Sequence, residues 1–195
     1  MKVPVPVKEY KTLHAGNHFA ICIMLIDLGT QKKEFAGQIK YLRQVRIGFE
    51  TVDETAVFKE ENGEQPFLLT KDLTLSMAQK ASLRLLLESW RGAKFKEEEL
   101  QDYDLKNILG KTCLLNTVVN KSKDGTRSFS KINQATPVPK SMVREVEPVN
   151  PIVYFDLDSP DWNVFETFPD FVKDKIKASP EYKKAIGDQS EGEVF

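Results

Sequence analysis

No run of this 195-residue sequence approaches the eighteen or so continuous apolar residues of a membrane span. The opening MKVPVPVKEYK also lacks the apolar stretch of a secretory signal, so neither membrane nor export is expected, and the cytoplasm is the expected location. Cysteine and histidine are scarce. Cys22 and Cys113 lie in apolar, strand-like runs and are expected as small buried hydrophobes; with His14 and His18 they form no zinc spacing. No metal and no cofactor is expected. Ten glycines supply no phosphate-cradling loop either. LGKT at 109–112 ends like a P-loop, but the required upstream glycine is Leu105, and Thr112 to Val119 favours a strand where a P-loop needs a helix.

What the sequence does have is a division of charge. Residues 1–135 carry 21 Lys and Arg against 17 Asp and Glu, whereas residues 136–195 carry 7 against 12. The basic residues of the body gather at Lys32, Lys33, Lys40, Arg43 and Arg46, and again at Lys106, Lys111, Lys121, Lys123, Arg127 and Lys131. Such asymmetry fits a polyanionic partner, and a solvated lysine-rich surface equally.

Hydrophobic periodicity gives the element order. Phe19 to Leu28 is apolar almost throughout and predicts a buried strand; Ile39 to Phe49 alternates, with Lys40, Gln44 and Arg46 on a wet face. After an acidic loop from Asp53 to Gln65, Phe67 to Leu75 predicts a third strand. Ser76 and Gln79 have the form of a capping box, and Leu83, Leu86, Leu87 and Trp90 then recur at helical spacing until Gly92. Trp90 is expected in the core. A short acidic helix at Glu97 to Glu99 and a turn from Leu105 into Gly110 explain LGKT. Thr112 to Lys121 and Arg127 to Ala135 form a hairpin about Asp124-Gly125. Three strands, a helix and two strands is the order of an OB-fold, so the expected class is mainly β with helices, α+β, with an OB-fold-like five-stranded barrel over residues 1–140.

HAGNHFAICIMLIDLGTQ, YLRQVRIGFE, LTLSMAQKASLRLLLESWRG, YDLKNILGKTCLLNTV and EPVNPIVYFDLDS together resemble a family of bacteriophage replication-module proteins that bind single-stranded DNA through an OB-fold. The resemblance runs from about His14 to Ser159. It implies a non-catalytic protein that protects single strands during phage replication or recombination in the host bacterial cytoplasm, largely without sequence preference.

That function requires cations along the phosphates and flat side chains beneath the bases. Arg127, Phe129 and Lys131 share one face of the last strand, with Lys121 and Lys123 near the turn and Lys111 at the start of the hairpin. On the second strand Tyr41 and Arg43 share one parity and Lys40 and Arg46 the other; Tyr41 and Arg43 are expected to line the groove near the strand's start, with Val45, Ile47 and Phe49 running into the core, and the opposite face is the alternative. Phe129 is equally acceptable in a core, and Arg91 equally acceptable as a helix C-terminal charge.

Beyond residue 140, prolines mark a strap, Ile152 to Leu157 predicts a short strand, and helical turns begin near Ser159, Asp170 and Pro180, so residues 141–187 are expected to pack on the barrel or bind partners. Residues 188–195 form an acidic tail in which Asp188, Glu191, Glu193 and Phe195 would recruit phage or host replication proteins. Homo-oligomerisation is left open. Two rivals stand beside this reading: a protein-interaction module without DNA binding, and a metal-dependent nuclease built on Asp156 and Asp158.

Overall fold

A long hairpin of Gly16–Phe35 (β1) and Gln38–Val57 (β2) organises the chain in a computed structural model that describes residues 11–35, 37–101 and 103–190. Glu64–Thr74 (β3), Thr112–Lys121 (β4) and Ser128–Thr136 (β5) complete an antiparallel path β3-β2-β1-β4-β5. A sixth strand, Val153–Phe155 (β6), joins β1 in parallel at Met24 to Ile26. The class is therefore a mainly antiparallel β-sheet with a few helices, α+β. No helix among the described residues is long and apolar enough to cross a membrane.

One face of the curved sheet encloses the larger core. Ala20, Cys22, Val45, Ile47, Phe49, Leu69, Leu73 and Leu115 meet there with the helix Ser82–Arg91 (α1). This helix forms because Leu83, Leu86, Leu87 and Trp90 fall on one stripe, and all four are buried. Each such side chain contributes about 1.5–3 kcal/mol by leaving water. The Trp90 indole N–H donates to the Thr112 carbonyl at 2.9 Å, which satisfies the one polar atom the core admits with it. Gly92 ends the helix in the left-handed conformation, its N–H donating to the Glu88 and Ser89 carbonyls. Both cysteines are free and buried, and burial pushes the Cys22 thiol up to about 12.

Three expectations require correction. The capping box does not form: α1 begins six residues after Ser76 behind Ala81, which offers no capping side chain, while Ser76 Oγ accepts from the Ala78 N–H within a preceding turn. The acidic segment 53–65 is mostly strand. Thr55, Ala56 and Val57 pair with Pro66, Gln65 and Glu64, because the β-branched residues of TVDETAV outweigh the acids, and the chain reverses over residues 58–63 through a short helical turn, Glu60–Asn62, that ends at Gly63. Finally, β2 has no wet face from Gln44 to Glu50, since the C-terminal segment covers it.

That covering is a second core. Phe155 and Leu157, with the helices Trp162–Glu166 (α3) and Asp170–Lys177 (α4), bring Phe165, Phe168, Val172 and Ile176 onto Ile26 and Leu28. Pro180–Ser190 (α5) adds Tyr182, whose ring meets Trp162 edge-on at 5.6 Å. Asp161 caps α3 by accepting the Asn163 and Val164 N–H groups. The approach is close at Gly29, where φ is +66° and an added Cβ would lie 2.4 Å from the Ser179 Cβ, so only glycine fits beneath the α4–α5 corner.

Candidate nucleic-acid interface

β3 and β5 are the two edges of the sheet path, and no strand pairing joins them among the described residues. Instead Lys71 bridges the gap, its ammonium donating to the Ile132 and Asn133 carbonyls at 3.1 and 3.2 Å. Burial, with Lys131 nearby, pulls the Lys71 ammonium below its ordinary range.

Past Lys71 the edges part into an open cleft of about 460 Å³. Phe67, Leu68 and Thr70 of β3 form one wall, and Arg127 to Ser130 the other. Phe58, just beyond β2, stands edge-on to Phe67 with ring centres 5.2 Å apart. The segment 11–13 closes the rim, held by Thr12 Oγ1 donating to the Ser128 carbonyl and by Ser130 Oγ donating to the Leu13 carbonyl. Phe58 and Phe129 are each 47% exposed, and Lys11 and Arg127 are exposed beside them. The cleft thus combines three rings with cations at its rim, the ingredients that hold a single strand by stacking and phosphate contact.

The expected site residues fall into three groups. Arg127 and Phe129 line the cleft, and Lys121, Lys123 and Lys131 are exposed on the same hairpin. Phe129 is therefore on the surface and not in the core. Lys40 and Tyr41 lie on a two-stranded arm: β1 and β2 pair alone from Thr30↔Arg43 to Phe35↔Gln38, before β3 joins at Gln44. Tyr41 is 69% exposed opposite Lys32. The arm stands about 25 Å along β2 from the cleft, at roughly 3.3 Å per residue. Lys111 is exposed at the entrance to β4, beside a hollow formed with Trp90, Arg91 and Tyr103.

Arg43 and Arg46 line neither surface. Arg43 donates to both oxygens of Asp27 and pairs with Asp158 at 2.9 Å. Arg46, 7% exposed, makes a two-point contact with Asp72 and lies 5.2 Å from the Phe171 ring centre. Arg91 pairs with Glu99 and covers Phe95, fastening the end of α1 to the helix Glu97–Gln101 (α2). Glu191, Glu193 and Phe195 lie outside the described residues, as does the side chain of Asp188.

Asp156 and Asp158 are likewise engaged. Asp156 accepts from the Tyr154 hydroxyl and the Asp158 N–H, and Arg43 occupies the cationic position between Asp27, Asp156 and Asp158. A guanidinium there supplies the positive charge that a nuclease would take from Mg²⁺.

The residues that sequence reasoning passed over are Lys11, Phe58, Phe67 and Lys71. Phe58 falls in the segment read as an acidic loop. Lys71 shares the parity of Leu69 and Leu73, and a lysine on an inward face is itself a sign of a local opening in the sheet. Comparison with protein-family models, with curated proteins and with solved structures finds no match for this chain.

Proposed function

We propose that this protein binds single-stranded DNA without base-specific readout, along the cleft between β3 and β5 and onward over the adjoining hairpin. The observation that carries the reading is the grouping of Phe58, Phe67 and Phe129 with Lys11 and Arg127 in one open cleft. We also infer that the sheet is an OB-type barrel parted along β3 and β5. Its strand order, the helix between β3 and β4, and the Lys71 bridge across the gap support this. The setting we propose, following the resemblance of the sequence, is phage DNA replication or recombination in the host cytoplasm.

The test is fluorescence anisotropy with a labelled strand of about 30 nucleotides, which exceeds a single-fold footprint of about 4–16, beside the matching duplex. Single-strand binding should weaken steeply with salt, and the duplex should bind far less. Phe129→Ala should cost about 1–3 kcal/mol, the worth of a stacked base. Arg127→Ala should flatten the salt dependence by about 0.7 in log–log slope, one phosphate's share for a single strand.

A second reading rests on the strap, where Met142, Val143, Val149 and Ile152 are exposed in sequence proximity and could dock a protein partner. Absence of single-strand binding at low salt by the folded chain would favour that reading and reject the first.

A further inference from the structure

His18 is wholly buried, and its hydrogen bonds determine where its ring proton sits. Its Nε2 lies 3.0 Å from the His14 carbonyl oxygen and 3.1 Å from Thr117 Oγ1. The carbonyl can only accept, and the Thr117 hydroxyl spends its own proton on that same carbonyl at 2.9 Å. Nε2 therefore carries the hydrogen, and Nδ1 of the neutral ring presents a lone pair. That lone pair faces Glu54 Oε1 at 2.7 Å, another acceptor when ionised. The pair therefore shares either a proton on Nδ1 or a bound cation.

The surroundings favour more than a proton. Glu54 Oε2 is also buried and has no hydrogen-bond partner among the described residues. The exposed His14 ring packs edge-on against His18, centroids 4.6 Å apart, and donor atoms of His14, His18 and Glu54 all lie within 4.8 Å of one another. The elements hold these groups firmly. His18 is on β1 opposite β4, and Glu54 lies where the β2–β3 register slips, with its carbonyl accepting from Thr51 Oγ1.

We propose that His14, His18 and Glu54 form a binding site for a zinc-class divalent cation. The metal replaces the proton shared by His18 Nδ1 and Glu54, whose 2.7 Å contact must open by about 0.5 Å to admit zinc bonds of about 2.0 Å, and it gains His14 as its third ligand. Two imidazoles and a carboxylate suit zinc, whereas Mg²⁺ prefers an all-oxygen shell. The Nε2–H bond to the His14 carbonyl is the outer contact that fixes a metal-bound histidine's tautomer and orientation. The exposed side at His14 leaves a fourth position to water. The site would pin the segment 11–13, which rims the cleft, to β2.

The experiment uses the untagged full chain, stripped of metal, titrated with Zn²⁺ and then with Mg²⁺ by calorimetry, with thermal unfolding read in parallel. One Zn²⁺ per chain should bind and raise the melting temperature, and Mg²⁺ should do neither. His14→Ala, at an exposed residue that the fold tolerates, and Glu54→Gln should each weaken binding by more than the 10–100-fold typical of losing an outer contact. Thr117→Val should fall within that roughly 10–100-fold range. No Zn²⁺ binding by the folded chain would overturn the proposal and leave a proton between His18 and Glu54. Binding that persists unchanged in His14→Ala would overturn it as well.

Discussion

Asp27 is nearly buried, and a carboxylate so placed needs a cation and donors around it. Arg43 supplies the cation, and the Gly29 and Leu157 N–H groups donate to the remaining lone pairs. Because Arg43 also reaches Asp158, one side chain ties β1 and β2 to the segment following β6. Arg43→Ala should therefore destabilise the fold by about 3–5 kcal/mol, the range for stranding a buried charge. Urea unfolding measures this, and single-strand affinity of the folded variant should change far less than in Arg127→Ala. The opposite ranking would return Arg43 to the DNA-binding surface. Glu50 acts in the same way for the strap: it accepts from the Val149 and Asn150 N–H groups and from Asn150 Nδ2. Glu50 is itself buried, so removing those donors would strand its carboxylate without partners.

Among the elements, the C-terminal extension has the most conditional attachment. Beside the Gln31 amide, which donates to the Lys175 carbonyl, two carboxylates join α4 and α5 to the sheet: Asp72 accepts from Lys175, and Glu181 accepts from the Thr30 N–H and hydroxyl. Burial opposes the charge on Asp72, but the bonds from Arg46 and Lys175 outweigh it and hold the carboxyl below its ordinary value of 3.8. Burial acts on Glu181 in the same sense, and the Thr30 bonds again prevail, below an ordinary value of 4.5. For carboxyls depressed in the folded state, the stabilisation is fully present above those ordinary values and is lost as pH falls through the folded ones. Acidification below about pH 4 should thus loosen the extension before the larger core, as these two links to the sheet protonate. Trp162 fluorescence should change before that of Trp90, followed in Trp90→Phe and Trp162→Phe variants; simultaneous change would reject the order.

The same extension marks the limit of what the sequence made legible. Strands β4 and β5, the Asp124-Gly125 turn and the apolar stripe of α1 were readable because each is a local pattern of period two, turn chemistry or period 3.6. The cleft was half readable, through Arg127 and Phe129. Arg46 was misleading, since alternation distinguishes two faces of a strand but not which later segment will cover one of them. Only the arrival of Phe171, Lys175 and the strap, more than a hundred residues on, turns that face into an interior.

At the scale of the whole molecule, the two cores share β1. Cys22 and Leu25 face one, and Ile26 and Leu28 belong to the other. A chain ending at residue 150 would keep every residue that lines the cleft yet uncover Ile26 and Leu28, each worth about 1.5–3 kcal/mol of burial. Such a chain should bind a hydrophobic dye and associate on size-exclusion chromatography, whereas the full chain should do neither to the same extent. A monomeric, dye-silent truncation would mean that the sheet holds without its outer layer.

The parallel pairing of β6 has a consequence during synthesis. One edge of β1 is divided, with β4 on residues 16–21 and β6 on residues 24–26. The second portion waits for a partner more than 120 residues downstream. At the about 5–20 residues per second of translation, that interval is roughly 6–25 s. For that time a nascent chain presents an unpaired, strongly apolar backbone edge, the kind that joins readily to a neighbour on the same message. Sluggish elongation between codons 30 and 155 would prolong the exposure, so the yield of native protein should depend on the tempo of the ribosome as well as on the stability of the finished fold.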